Sequence, residues 1–332
     1  MSLNKKNKEL SFDIVVVGAG PIGLAFACGF AKTNIKVAII DKLPKKNIST
    51  PKIDGREIAL THHSVKILEK LEVWKYISKK LISPIKEARV LDGDFKYFLN
   101  FAHEEIKKDC LGYIVPNCVI RKALYQRLKK IKNVSLLNNS ECLSVNTNEK
   151  FASLDMADGK KIKTLLVVAA DSRFSKMRTK MGISAFTRNF KKNMIVCRMK
   201  HEKHHENIAY EFFRYNQTQA SLPYVNNQSG IVTTADNDLT SKLMNMNAKD
   251  FSREIENNFG RSLGKMQLIG KRYTYPMITT YTKKFVSNRF AVIGDAAVGM
   301  HPVTAHGFNL GLKGLDILID ENKKDLKNKN DI

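Results

Sequence analysis

Residues 12–41 read FDIVVVGAGPIGLAFACGFAKTNIKVAIID, and this stretch decides the fold class. Its first part, FDIVVV (12–17), is a continuous apolar run that stops at a glycine-rich turn, the pattern of a parallel strand buried on both faces. LAFACGFAKTN then places apolar residues at helical spacing, and KVAII (36–40) is a second buried strand ending on Asp41. Strand, turn, helix and strand in this order predict a βαβ unit. The turn, Gly18-Ala19-Gly20-Pro21-Ile22-Gly23, has the G-x-G-x-x-G spacing of dinucleotide sites. In such a turn Gly18 permits the sharp bend, Gly20 lets a pyrophosphate approach the backbone, and Gly23 lets helix and strand pack closely. The helix N-terminus adds free N–H groups and a partial positive charge. Asp41, at the end of the second strand, is placed to accept a ribose hydroxyl. The turn alone does not separate FAD from a nicotinamide dinucleotide.

Beyond this unit the pattern alternates. Residues 42–55 are rich in Pro, Lys and Asp and read as a loop. From Arg56 to Lys80 the spacing predicts helix, with Val65, Leu68 and Leu71 on one stripe. Residues 86–103 alternate like a β-hairpin, 117–130 read as a helix, and LLVVAA (165–170) is another buried strand. From 190 to 283 the sequence has β character, with turns at Asn226-Asn227 and Ser229-Gly230 and one helix near 248–259. RFAVIG (289–294) returns to buried strand, followed by a loop and a helix from about 307. After Asp320 the charged tail ENKKDLKNKNDI is expected to fray.

The 332 residues are 43% hydrophobic and 27% charged, an ordinary globular composition. Lys and Arg number 56 against 32 acidic residues, a formal charge of +24. Such a field attracts polyanions and anionic lipid surfaces. Lys and Asn crowd the whole chain, however, so the excess reads first as a general compositional habit. No confined basic block or recognition motif points to nucleic acid. The five cysteines form no C-x-x-C pair, which predicts a reduced, cytoplasmic protein. The polar N-terminus carries no apolar core of signal-peptide length.

Three further segments carry a resemblance. Arg289-Phe290-Ala291-Val292-Ile293-Gly294-Asp295-Ala296-Ala297 ends a buried strand on Gly-Asp, and Met300-His301-Pro302-Val303-Thr304-Ala305-His306-Gly307-Phe308-Asn309-Leu310-Gly311 follows. Ala169-Ala170-Asp171-Ser172-Arg173-Phe174-Ser175-Lys176-Met177-Arg178 follows LLVVAA. Together with Arg56 in Arg-Glu-Ile-Ala-Leu, these resemble the class A flavin monooxygenases, most closely the ubiquinone-biosynthesis hydroxylases of polyprenylated phenols. The resemblance spans nearly the whole chain, with the motifs in the family's order. It implies a Rossmann-like FAD-binding α/β domain with a parallel sheet, split over residues 1–85, 104–182 and 284–332. An inserted α+β substrate domain with a mixed or antiparallel sheet would take 86–103 and 183–283.

By the same resemblance, Asp295 beside Gly294 binds the FAD ribityl chain, and Pro302, Gly307, Phe308 and Asn309 line the isoalloxazine ring. Arg56 lies along ribose and pyrophosphate, Asn117 contacts the flavin, Asp171 holds the FAD region, and Arg178 braces its turn. Two positions depart from the family: Ser172 stands where it has glycine, and Ala305-His306-Gly307 where it has Gly-Gln-Gly. The implied reaction reduces FAD with NAD(P)H or another donor. Oxygen then forms a flavin C4a-hydroperoxide, whose terminal oxygen passes to the ring. The cofactor carries that chemistry, so no acid–base dyad is expected. His301 and His306, in the ring loop, are the candidates for moving a proton. The implied partners are a polyprenyl phenol or quinol and molecular oxygen, with either a peripheral contact at the inner face of the membrane or a ubiquinone-biosynthesis complex.

The same residues admit rival readings. The same scaffold supports another FAD-dependent reaction on a prenyl lipid. Family members also continue past the Asn-Leu-Gly-Leu helix, so a truncated, non-catalytic FAD- or lipid-binding protein is a further alternative. His201-Glu202-Lys203-His204-His205 matches H-E-x-x-H literally, but it lies between strand-like stretches and reads as a polar turn, with no metal expected. His62-His63 reads as a helix-surface feature. Phe212, Phe213 and Gln219–Pro223 fit the family's substrate strands but read first as core.

Overall fold

A computed structural model describes residues 9–93, 97–260, 262–300 and 306–327. Three sheets organise them. The first is built on parallel strands in the spatial order β18 (Phe290–Val292), β11 (Lys161–Ala169), β1 (Leu10–Val17), β2 (Val37–Ile40) and β8 (Val134–Leu137). A short antiparallel strand, β17 (Val286–Ser287), edges it, and the hairpin β9 (Cys142–Thr147) and β10 (Ala152–Met156) pairs with the first half of β11. Ile14, Val15 and Val16 have no exposed surface, which is why this strand reads as an unbroken apolar run.

One face of this sheet is covered by helices: α1 (Pro21–Cys28), α3 (His62–Lys70), α4 (Asn117–Leu128) and α8 (His306–Lys327). The β9–β10 hairpin and Met177 of α5 (Lys176–Lys180) cover the other face. A three-stranded sheet, β3 (Glu57–Leu60), β7 (Gly112–Pro116) and β4 (Ser83–Ile85), links this body to the next.

The large sheet is almost wholly antiparallel. Its order is β19 (Val298–Gly299), β16 (Met266–Thr282), β12 (Ala185–His201), β15 (Gln228–Asp236), β14 (Gln217–Tyr224), β13 (Ile208–Arg214), β5 (Glu87–Asp92) and β6 (Phe98–Ala102). Helices α6 (Asn237–Asn245) and α7 (Ala248–Asn258) pack on one face through Ile195, Cys197, Phe212, Phe251 and Ile255.

Several local readings change. The segment opening on Arg56 is strand before it is helix: residues 57–60 pair with Tyr113–Pro116, and the helix starts only after Thr61 caps Ser64. A pairing with residues so distant in sequence outweighs local propensity. The loop 42–55 contains a short helix, α2 (Lys45–Ser49). The one helix expected near 248–259 is α7, capped by Asn247, and a second helix, α6, capped by Asp236, precedes it where the sequence reads as β. Ser229-Gly230 lies inside β15, paired with β12 and β14 rather than in a turn, and the glycine serves close packing, since a Cβ at 230 would stand 2.5 Å from the Glu57 side chain. α8 does not stop at Asp320. Leu312, Leu315 and Ile319 bury its inner stripe, Lys70 holds Asp316 and Asp320, and the helix continues through Lys327.

Candidate functional site

The motif residues gather along one edge of the parallel sheet. β18, β11, β1 and β2 are successive neighbours running the same way, so the turns after Val292, Ala169 and Val17, and Asp41 after Ile40, line the carboxyl edge in a row. This is where open α/β sheets bind ligands. Two clefts of about 720 and 750 Å³ open at the other end of the strands, around Lys32, Glu72 and Arg127. Neither contains a motif residue.

The first turn needs its glycines for contact. A Cβ on Gly23 would sit 2.0 Å from the Gly18 carbonyl, and one on Gly18 would sit 2.4 Å from the Ala170 carbonyl. Gly20, by contrast, faces open space, with nothing within 4 Å of where its Cβ would be. α1 starts there with Pro21 in its first turn and no side-chain cap, so its N-terminal end has room for an anion. Asp41 clamps the bend: one carboxylate oxygen accepts from the Ala19 N–H (2.6 Å), the other from that of Leu43 (2.8 Å). Its remaining lone pairs suit a ribose hydroxyl.

Beside this turn lies a polar cluster. Arg56 donates from Nε (3.0 Å) and Nη2 (2.6 Å) to the Asp54 carboxylate, and Asn117 Nδ2 donates to the same oxygen (2.7 Å). The Arg56 guanidinium stands 5.5 Å from the Tyr275 ring centre, and its side chain is 44% exposed. Buried Asn117 thus orients the carboxylate that holds Arg56. Arg121, one turn along α4, sits in the same field and was missed from the sequence. Burial pushes its guanidinium below its usual value, as does Arg56, while Asp54 and Asp41 pull it back. Its i, i+4 spacing from Asn117 was the available signal.

The other two turns interlock. Asp171 accepts from the Ser175 hydroxyl (2.5 Å) and the Met177 N–H (3.2 Å), closing the start of α5. Ser172 follows at φ +118°, a conformation that favours glycine. Buried Arg178 donates to the Ala296 carbonyl (2.6 Å) and the Arg173 carbonyl (3.2 Å). Arg173 in turn lies 3.5 Å from the Asp295 carboxylate and donates to the Ile278 carbonyl (2.7 Å) on β16. Gly294 and Gly311 both press on Ile22, where an added Cβ would come within 3.0 Å and 2.8 Å. Asp295 itself is half exposed.

At the start of α8, Asn309 binds the β3 backbone: Nδ2 donates to the Ala59 carbonyl (2.8 Å) and Oδ1 accepts from the Thr61 N–H (3.1 Å). Its amide therefore positions the helix against β3. Gly307 is open on its Cβ side, Phe308 packs against the core, and His306 opens the helix, exposed. His301 and Pro302 lie outside the described residues.

The same body meets the large sheet on the face away from α6 and α7. A Cβ on Gly55 would stand 2.7 Å from Tyr273 and 2.9 Å from Val196. Glu57, with only 3% of its side chain exposed, accepts from Arg198 Nη2 (2.5 Å), and Arg198 stacks 4.1 Å over Tyr224. Burial raises the Glu57 carboxyl, and Arg198 opposes that shift.

A family profile described as an FAD binding domain matches residues 11–318. The ubiquinone hydroxylase UbiM of Neisseria meningitidis is 41% identical over 93% of this chain and 68% of its own length. This chain belongs to the class A flavin monooxygenases, in the ubiquinone-hydroxylase family. The 3-demethoxyubiquinol 3-hydroxylase of Escherichia coli is 26% identical, over 93% of this chain and 78% of that one. The solved structure of PqsL, a probable FAD-dependent monooxygenase of Pseudomonas aeruginosa, shares the fold. Its TM-score is 0.80 at 15% identity, over 96% of this chain and 87% of that one.

The flavin monooxygenase thus binds FAD, and the carboxyl edge fits such a group. It offers open space over Gly20, an uncapped helix N-terminus, a clamped Asp41 and two arginines. The histidine segment is the polar connection between strands that its composition predicts, with Glu202, Lys203 and His204 exposed, but two of its histidines are not solvated. His201 and His205 are buried: His201 binds the Lys203 carbonyl (2.6 Å) and the Ser229 hydroxyl (3.1 Å), and His205 the Tyr224 carbonyl (2.5 Å). Among the described residues, no cluster of three or more His, Cys, Asp or Glu could hold a metal ion. His62, too, is partly buried, on the Cys110 carbonyl at 2.8 Å. All five cysteines are free, and burial pushes the Cys28 and Cys197 thiols up to about 12, so these two are core residues. Among the described residues, no helix is long and apolar enough to cross a membrane.

Proposed function

We propose that this flavin monooxygenase hydroxylates the aromatic ring of a polyprenylated phenol or quinol in ubiquinone biosynthesis. One observation carries the reading: the edge where the motif turns align is joined, through residues 54–57, to the helix-free face of the large antiparallel sheet. A cofactor on that edge and a substrate on that face would be neighbours. The names of the relatives point to the same substrate class. In the balanced reaction, one atom of O2 enters the ring and the other leaves as water. NAD(P)H or another donor gives two electrons. FAD, when bound, accepts those electrons and activates oxygen.

In this reading residues 1–85, 104–182 and 284–332 form the FAD domain, and 86–103 with 183–283 the substrate domain. Gly18, Gly20, Gly23 and the start of α1 take the pyrophosphate, with Arg56 and Arg121 as countercharges. Asp41 takes the ribose and Asp295 the ribityl chain, while Pro302, Gly307 and Phe308 line the ring. Asn117, Asp171, Arg178 and Asn309 are positioning residues, each supported by the bonds described above. The protein would work in the cytoplasm as a peripheral partner of the inner membrane face, held by its +24 charge.

The test is a product assay. The FAD-loaded protein is given NADPH, oxygen and a short-chain 2-prenylphenol. Faster NADPH oxidation and a product heavier by one oxygen atom are expected. Stimulated oxidation that yields only hydrogen peroxide, or a reduced prenyl chain, would overturn the proposal.

A further inference from the structure

The strand registers place seven residues in one row across the large sheet. Tyr273 pairs with Val196, Val196 with Val232, Val232 with Ala220, and Ala220 with Glu211. Glu211 pairs with Val90, and Val90 with Leu99. Directly paired residues point to the same face. Tyr273 and Val196 are the two side chains on which the Gly55 backbone rests, so the row lies on the side of the FAD domain. Phe212, the next residue after Glu211, points the other way into the core beneath α7, with its ring 5.1 Å from that of Phe259.

Glu211 is therefore a carboxylate set in a row of Val, Ala, Leu and Tyr. It lies three strands from Val196, roughly 14 Å at the usual strand spacing. It is half-buried, and among the described residues nothing hydrogen-bonds or pairs with it. Burial alone raises its carboxyl above the usual range, with no cation contributing. The other desolvated carboxylate on this side, Glu57, has Arg198. Its carboxylate oxygens still reach solvent, so a ligand's donor placed there would replace water without competing with a protein partner. The surroundings define that ligand: a flat apolar body with a single hydrogen-bond donor. Along β13 the apolar surface continues to Phe213, 40% exposed, and across β5 it reaches the sheet edge, where Leu99 is 65% exposed and Phe101 50%.

We propose that Glu211 anchors the ring hydroxyl of the phenol substrate, with Ala220, Val232 and Val90 beside it taking the ring and the first part of its hydrocarbon chain. This rests on the reading of the protein as a phenol hydroxylase and adds the residue that recognises the hydroxyl. The phenol O–H donates to the carboxylate in place of water, and the bound ring and chain cover the apolar row beside it.

The experiment reads binding without turnover. A short-chain 2-prenylphenol and its methyl ether, which lacks the donor, are titrated into oxidised FAD-loaded protein and followed by the flavin absorption bands. The wild type should prefer the phenol about ten-fold, the worth of one buried hydrogen bond. Glu211→Leu should retain its flavin, bind the phenol about ten-fold more weakly and lose the preference over the ether. Glu211→Gln, which keeps an acceptor, should retain most of the preference, and it carries the test if the leucine variant fails to fold. Unchanged preference in Glu211→Leu would overturn the inference, as would a wild type that binds both compounds equally or neither. Failure of the product assay with the preference intact would remove the hydroxylase reading and leave the binding role.

Discussion

Two turns end neighbouring parallel strands with nearly the same backbone angle: Gly18 after β1 at φ +112°, and Ser172 after β11 at φ +118°. At Gly18 the missing side chain is filled by the neighbouring turn. A Cβ there would lie 2.4 Å from the Ala170 carbonyl oxygen and 3.0 Å from the Asp171 Cα. Ser172 is exposed, and its Cβ has been accommodated. A positive φ thus makes glycine obligatory in one turn by contact and only favourable in the other by strain. The first turn also carries the second, because the space left by Gly18 is where the Ala170-Asp171 peptide sits.

Gly18→Ala should disrupt the contact between the two turns most severely. Backbone overlap added to strain is expected to cost about 3 kcal/mol or more, with loss of retained FAD. Chemical denaturation and the flavin content of the purified variant would measure both. A variant that keeps its flavin and its midpoint would mean the two turns are not in contact. Arg178→Met probes the second turn through its brace. Losing two bonds from a buried guanidinium to carbonyls should lower stability by about 2–3 kcal/mol. Thermal unfolding checks this, and an unchanged melting temperature would deny the brace. Arg121→Met should leave unfolding almost unchanged yet weaken FAD about ten-fold, the loss of one charge-assisted contact. Titration of the apoprotein with FAD distinguishes this from a general loss of structure. The smallest effect is expected at Ser172→Gly. Relief of the left-handed strain, less the entropy cost of glycine, should stabilise the protein by about 1 kcal/mol. A lower melting temperature would show that the serine side chain makes a compensating contact.

The nucleotide edge is legible in the sequence because its signals are local. Ile14 through Val17 form an unbroken apolar run, and G-x-G-x-x-G begins at the very next residue. Asp171 and Asp295 were legible for the same reason, each closely following an apolar strand. What escaped depends on partners distant in the chain. Residues 57–60 become strand only by pairing with β7, and that pairing turns Glu57 towards Arg198, 141 residues away. Gly230 reads as a turn residue until Glu57 is seen to occupy the space above it. Glu211 looks like one charge in a β segment, and only the register across the neighbouring strands reveals its apolar row. Arg121 belongs to a helix whose cationic role appears when Asp41, Asp54 and Arg56 surround it.

In the proposed site the strand-end turns, with Asp41, Arg56 and Arg121, form one working FAD cradle. Its most direct test is the visible absorption spectrum of the purified protein, recorded after loading with excess FAD and desalting. Flavin bands at equimolar cofactor and protein are expected. A protein that retains no flavin under those conditions would contradict it.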